Sequence, residues 1–472
     1  MSIDTDRFAG ELRARLEIEE LHSTLDFDTV LAGSKRARRR RAVVASTVAA
    51  GALVATVLAG PPLVDLGHRM ADAARRERLA GVDGAAGDLS KPLNVAWQAS
   101  GAFAGVSEPS GTILLHTDHT FEALDAATGQ VRWSVAEDAD HSCSPAAVTA
   151  SGTAADGPDG VLCVSPADGT MQVRDVATGD VVATETSGWR EWHAALVDGA
   201  LVVVGVDQEG HAVARSTDPA TGDVNWTYRG ETTIPPGGDG FGMDVGPGIV
   251  GLAAGAWSVN LDPATGEPVA ADGAAEHHPV ELAGGLTAIQ SGAPNGAPDA
   301  WSVRVLGRDG TELLRMPGIL EQPPVDDGSV PGLVFVLNLE TNAIDVIDVT
   351  TGTTLWSHGG FRPDVLVDGF LVATSNTGGK LRVVDATTGE QVWTAQLHLP
   401  NVGLAPLTDG VNVLTLEEAA GEPNLVARDL ATGSVVWAQP WDPGGASWAL
   451  LHALPSGDVL ATTDSGVTIF RP

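Results

Sequence analysis

The chain reads as an all-β propeller of four-stranded blades, and three observations lead there. A phrase of the form D-x-x-T-G returns seven times, starting at Asp125, Asp175, Asp218, Asp262, Asp348, Asp385 and Asp429. Successive starts lie 50, 43, 44, 86, 37 and 44 residues apart, so the one long gap is twice the usual step and predicts a decayed eighth copy inside it. Each copy lies between two apolar, β-branched runs, as in TFEALDAATGQVRWSV from Thr120 to Val135. A fixed period in this range marks an array of similar units, and paired runs around a turn mark hairpins.

Taken in order, residues 1–41 form a charged tail in which Phe8, Leu12 and Leu16 recur at helical spacing, with Asp28 as the cap of a second helix. Residues 35–41 read KRARRRR, and residues 42–60 carry no charge. Nineteen helical residues rise about 28 Å, close to the ~30 Å of a bilayer's hydrocarbon, so this stretch reads as a transmembrane helix. The basic cluster before it puts the N-terminus in the cytoplasm and carries the rest of the chain outside. A cleavable signal peptide is the competing reading, disfavoured by the long preceding tail. The segment has no neighbouring cysteine for a lipid anchor. Pro61 and Pro62 end the apolar run, and residues 61–92 read as a short polar helical stalk before a propeller over 93–472.

Within the repeat, the Asp side chain accepts backbone N–H bonds, the Thr hydroxyl does so more weakly, and the glycine takes the positive φ of a tight turn. These glycines are Gly129, Gly179, Gly222, Gly266, Gly352, Gly389 and Gly433. Eight residues after the Asp comes a tryptophan in five copies: Trp133, Trp226, Trp356, Trp393 and Trp437. We read it as packing blade against blade. Ala183, Ala270 and a short aliphatic stretch around Leu314 replace it elsewhere, predicting looser joints. The decayed copy is GRDGTELL, Gly307 to Leu314, whose Asp309, Gly310 and Thr311 form an imperfect turn. Two more apolar runs precede each hairpin, giving four strands per unit, and radial stacking of such sheets buries both faces.

The last stretch, Gly457 to Pro472, supplies inner strands but stops where its outer strand would follow, whereas Leu93 to Gly101 resembles a Trp-bearing outer strand (Trp97) without its hairpin. The two chain ends therefore share one blade. The D-x-x-T-G-x-x-x-W hairpin resembles the repeat of PQQ-like propellers, found in quinoprotein dehydrogenases and in the bacterial outer-membrane assembly lipoprotein. Eight copies plus a split blade count to nine. The resemblance implies eight, which is favoured here, with nine left open.

Chemistry is sparse. The resemblance implies, for an enzyme, adjacent disulfide-bonded cysteines under a quinone, a stacking Trp, a calcium site and an Asp base; here the two cysteines, Cys143 and Cys163, are twenty residues apart, so those roles do not carry over. The pair falls in adjacent apolar runs and reads as a cross-strand disulfide, closing a loop worth ~3 kcal/mol in the chain-entropy model, with two free buried thiols as the alternative. His116 with His119, and His277 with His278, lack a third metal ligand, and the glycine-rich Pro235 to Gly242 lacks the Lys and Ser or Thr of a phosphate loop. Glu417 with Glu418, and Asp138 with Asp140, read as solvated or oppositely facing acids. Formal net charge is −34, and residues 42–472 carry 18 Lys and Arg against 53 Asp and Glu, which disfavours nucleic acid.

These features describe a single-pass bacterial envelope protein presenting a non-enzymatic propeller, without cofactor or metal, as a binding or assembly scaffold for a protein or cell-envelope ligand. The alternatives are a ligand sensor signalling through the tail and a quinone-dependent dehydrogenase with an altered site.

Overall fold

The computed structural model describes residues 72–472 apart from 80–81, 83, 138–141, 146–159, 166, 190, 235–240, 247–248, 255–256, 270–274, 277–278, 293–300, 377–378, 398–405, 420–421 and 442–447. The tail, the apolar segment 42–60 and Pro61 and Pro62 lie outside the described residues, as do Asp138, Asp140, His277, His278 and most of the loop from Pro235. Among the described residues no helix is long and apolar enough to cross a membrane.

Among the described residues the chain forms nine sheets in sequence order, antiparallel but for one short added strand, each the length of one repeat. Numbered as blades, they span 102–136, 142–186, 191–233, 241–269, 275–317, 319–359, 361–396, 407–440 and, for blade 9, 449–471 together with Asn94–Ser100. Nine sheets correct the count of eight. The motif copies plus the split blade already summed to nine, and the preference for eight came from other propellers rather than from this chain. Two sheets are augmented: the innermost position of blade 5 is filled by two short pieces, and Val325–Asp326 runs parallel to the first strand of blade 7. Closure uses both chain ends. Asn94 pairs with Arg471 and Ser100 with Gly466 across an antiparallel ladder, so the outer strand of blade 9 comes from upstream of blade 1.

Each repeat turn is made by its own side chains. Asp125 Oδ1 accepts the Thr128 amide at 2.8 Å, Thr128 Oγ1 accepts the Gln130 amide at 3.3 Å, and the Gly129 amide closes onto the Asp125 carbonyl at 2.7 Å. The seven motif glycines hold φ between +68° and +77°, where an L-residue is strained. Hydrogen bonds from Arg132 and then Thr128 hold the Asp125 carboxyl below its ordinary range.

Just past the turn the outer strand carries a bulge that the sequence does not announce. Trp133 faces Ala123 while Val131 faces Leu124, so Arg132 is skipped; the same one-residue skip recurs at Val182, Asn225, Leu313, Leu355, Val392, Val436 and, in blade 9, Ala96. A bulge re-aims the residue that follows it. It also leaves two successive side chains facing solvent, which explains exposed aliphatic pairs such as Val181 with Val182 and Val435 with Val436.

The re-aimed tryptophan lands on the next blade's turn. A Cβ built on Gly129, Gly179, Gly266, Gly389 or Gly433 would lie 2.4–2.6 Å from the indole of Trp97, Trp133, Trp226, Trp356 or Trp393 respectively. The indole N–H of each donates to the carbonyl one residue past the turn's Asp, at 2.7–3.0 Å, the acceptors being Ala126, Val176, Pro263, Ala386 and Leu430. Trp437 finds no such turn in split blade 9 and donates instead to the Leu89 carbonyl at 2.7 Å. Apolar clusters fill the joints beneath these contacts, for example Leu114, Phe121 and Val161 between blades 1 and 2, and Val202, Val204, Val250 and Leu252 between blades 3 and 4. Among the described residues none bridges blades 4 and 5, where the outer strand of blade 4 is only Pro268–Val269.

Because Gly433 and Gly222 share the same strained φ but only Gly433 lies under an indole, Ala at the two sites separates strain from packing. Gly222→Ala should cost about 1 kcal/mol and Gly433→Ala about 2–4 kcal/mol in urea unfolding. Equal costs would show that the indole contact contributes nothing beyond the turn.

Candidate functional site

The segment upstream of blade 9 is not a free stalk. A helix spans 72–79, and its Leu79 is buried among Val325, Val365, Val367, Val413 and Leu430 of blades 7 and 8. Its arginines reach the inner hairpin loops: Arg75 Nη2 lies 2.7 Å from Asp368, Arg78 bonds Asp327 and Asp368 at 3.2 Å, and Arg76 bonds Asp409 at 3.1 Å and Asp88 at 3.0 Å. Gly410 permits this approach, since a Cβ there would meet Leu79 at 3.0 Å. Beyond the helix, the Ala86 amide donates to Thr408 O and the Gly87 amide to Gly457 O, and a Cβ on Gly87 would lie 2.7 Å from that carbonyl.

Asp409 organises the crossing. Its buried carboxylate accepts the amides of Leu89 (2.9 Å), Val411 (2.9 Å) and Asn412 (2.6 Å) besides the Arg76 guanidinium. Leu89, fully buried, then presents the carbonyl that Trp437 needs. Residues 84–89 thus stand where the missing turn of blade 9 would be.

Between this strap and the inner hairpins of blades 8 and 9 lies a cleft of about 390 Å³. Leu79, Val82, Leu454 and Pro455 form apolar walls, and Arg76, Asp88, Glu108, Asp409 and Ser456 supply polar groups. Burial raises the Asp88 carboxyl, but hydrogen bonds from Ser90 and the charges of Arg76 and Lys91 outweigh it and hold the group below its ordinary range. The guanidinium is already matched by two carboxylates, so the cleft suits binding of a mixed polar and apolar surface.

A second charged group sits on the first strand of blade 7. Asp364, at a bulge between Pro363 and Val365, accepts the Thr374 amide at 2.8 Å and its hydroxyl at 2.6 Å, with Arg362 at 3.2 Å. Burial pushes its carboxyl up to about 6, against the pull of Thr374 and Arg362. Burial also raises Glu321, partly offset by Arg362. With its acceptors occupied by Thr374, Asp364 fixes the bulge. His452 of blade 9 lies tilted against Phe103 of blade 1, ring centroids 5.6 Å apart, and burial pushes its imidazole below the ordinary value.

The other residues singled out in the sequence fall as follows. Cys143 and Cys163 sit directly opposite each other on neighbouring strands of blade 2 and form a disulfide, buried at the joint with blade 1. His116 Nδ1 lies 3.0 Å from Glu137, whose other oxygen accepts the Cys143 amide. Glu417 pairs with Arg428 at 2.6 Å. Among the described residues no group of three or more His, Cys, Asp or Glu is arranged to hold a metal. Sequence reasoning missed the strap and Asp364. The Arg75, Arg76 and Arg78 cluster was its only signal.

The family described as outer membrane protein assembly factor BamB matches residues 300–472. BamB of Shewanella oneidensis is 23% identical over 190 residues, covering 35% of this chain and 46% of that protein, so the match spans about half the length of this relative. Similar solved structures include BamB from Moraxella catarrhalis, at 13% identity and TM-score 0.36 over 81% of this chain and all of that one. Another is the quinohemoprotein alcohol dehydrogenase from Comamonas testosteroni, at 15% identity and TM-score 0.38 over 84% of this chain and 79% of that one. The sheets and their repeated turns make the architecture a β-propeller whose repeat resembles that of PQQ-like propellers.

Two outcomes are expected from this geometry. Asp409→Ala should lower stability by about 2–4 kcal/mol and open residues 74–92 to limited proteolysis; a segment as protected as before would mean that Asp409 does not hold the strap. Asp364 carries an ordinary value of 3.8 when unfolded and about 6 when folded, so the native state binds the extra proton between those values. Its contribution is complete below about pH 4 and is lost as pH rises through about 6, a change of about 3 kcal/mol. Asp364→Asn should therefore gain stability relative to the parent between pH 4 and pH 7, as read by urea midpoints; a constant difference would contradict the raised value.

Proposed function

We propose that this chain is a non-enzymatic scaffold of the bacterial cell envelope, whose propeller binds protein or envelope partners and assists assembly. The observation that carries the reading is the match of residues 300–472 to the family described as an outer membrane protein assembly factor, with a curated relative of that description beside it. The disposition of the repeated residues supports it: the Asp, Thr and Gly side chains and backbones close turns and the tryptophans join blades, so the shared motif builds a rigid frame whose loops are free to differ. In this reading residues 42–60 anchor the chain as a single transmembrane helix, with residues 1–41 in the cytoplasm and the propeller outside. The strap face, with its cleft beside Asp88, Glu108 and Ser456, is the binding surface.

Photo-crosslinkers placed at Ser456 and Glu108 in the full chain in cells should give discrete adducts with envelope proteins, lost on Asp409→Ala. Adducts with cytoplasmic proteins alone, or none, would refute the reading. Quinone with calcium added to the purified chain should give neither cofactor absorbance nor dye-linked alcohol oxidation; turnover would establish the dehydrogenase instead. Loss of output on deleting residues 1–34, with crosslinking intact, would establish the sensor.

A further inference from the structure

We propose that the turn Asp218–Gly222 of blade 3 is a socket for a tryptophan side chain donated by a partner protein. The inference rests on the scaffold reading and names the chemistry by which one contact would be made.

Five sister turns in the same molecule show what this turn binds. In each, an indole lies flat on the motif glycine and its N–H donates to the carbonyl one residue past the Asp. Blade 3 has the same turn: Gly222 has φ +77° and its amide closes onto Asp218 O at 2.8 Å. Its carbonyl in the acceptor position belongs to Pro219, and Pro263 in the equivalent place accepts the Trp226 N–H at 2.7 Å, so a proline there serves as well as any residue. What is missing is the indole. The preceding blade carries Ala183 where the tryptophan stands elsewhere, although its bulge is intact, with Ala183 facing Val173 and Val182 skipped.

Among the described residues nothing comes within 4 Å of a Cβ built on Gly222, and no donor reaches Pro219 O. Gly222 is exposed, whereas Gly129, Gly179, Gly266, Gly389 and Gly433 beneath their indoles are buried or half-buried. The joint is held from the side instead: Arg215 Nη2 lies 2.5 Å from Glu185 and its guanidinium lies 5.9 Å above the Trp189 ring. The comparable turn at Gly352 is partly covered by Leu314 at 3.8 Å. Among the seven intact motif turns, Gly222 is therefore the one whose face nothing described covers.

The occupant comes from another protein. All twelve tryptophans lie between Trp97 and Trp448, and every one is buried or half-buried in its own fold, so neither a second copy nor residues 1–71 can supply an indole. Asp218 and Asp223 flank the site on a chain of formal charge −34, which selects lysine or arginine beside the donated tryptophan.

The probe is the capped tripeptide Lys-Trp-Lys titrated against the purified full chain by NMR, with Lys-Ala-Lys and a 1-methyltryptophan version beside it. Lys-Trp-Lys should bind saturably, Lys-Ala-Lys should not, and blocking the indole N–H should weaken binding about fivefold, the worth of one hydrogen bond. Ala183→Trp should abolish binding and raise the unfolding midpoint by filling the socket from within. Ala183→Leu, which copies the cover that Leu314 gives Gly352, provides the same test by a smaller change. Binding that survives both variants, equal affinity for the methylated probe, or no saturation by about 10 mM would overturn the socket. Those results leave the scaffold's crosslinks at Ser456 and Glu108 untouched, so the two readings fail separately.

Discussion

The whole ring depends on one contact, an indole of one blade laid on a glycine of the next with its N–H on a neighbouring carbonyl. Its geometry explains why the motif contains glycine for two reasons at once. The turn needs a positive φ, and the face of the turn must carry no side chain, because an indole occupies the space of the Cβ. A tryptophan buries a large apolar surface while satisfying its one donor, so each joint gains packing without leaving a polar atom unmatched. The β-bulge before it converts an ordinary edge strand into one that reaches sideways.

Where the contact is absent, other interactions substitute, and they differ in kind. Between blades 2 and 3 the bond is ionic, through Arg215 and Glu185. Between blades 5 and 6 it is aliphatic, through Leu314 with Val303, Val305, Val334 and Val336. At the split blade a strap residue, Leu89, lends its carbonyl to Trp437, held in place by Asp409. The fold therefore tolerates loss of the tryptophan at individual joints as long as the turn and the clusters beneath it remain.

Much of this was legible in the sequence because the repeat is local. The D-x-x-T-G turn, the tryptophan eight residues on and the shared blade are all visible as spacing, and counting copies without reference to other propellers yields nine. The bulge was not legible, since skipping Arg132 or Val392 leaves no mark on composition. Nor was the strap: Arg75 and Asp368, or Arg76 and Asp409, meet only because the ring brings distant blades to one face. Asp364 likewise reads as an ordinary strand residue until a bulge turns it inward.

The pairing of Asn94 with Arg471 has a consequence in time as well as in space. Synthesis runs from the N-terminus, so the strand Asn94–Ser100 is made before blade 1 and its partner only after blades 1–8. Until Gly466–Arg471 leaves the ribosome, that strand is an unpaired edge and the ring is an open arc. Contacts between such distant positions form slowly, and open edges invite pairing with other chains. The nascent protein thus carries that exposed edge through the making of all the other blades, and the six-residue strand Gly466–Arg471 is what ends the exposure.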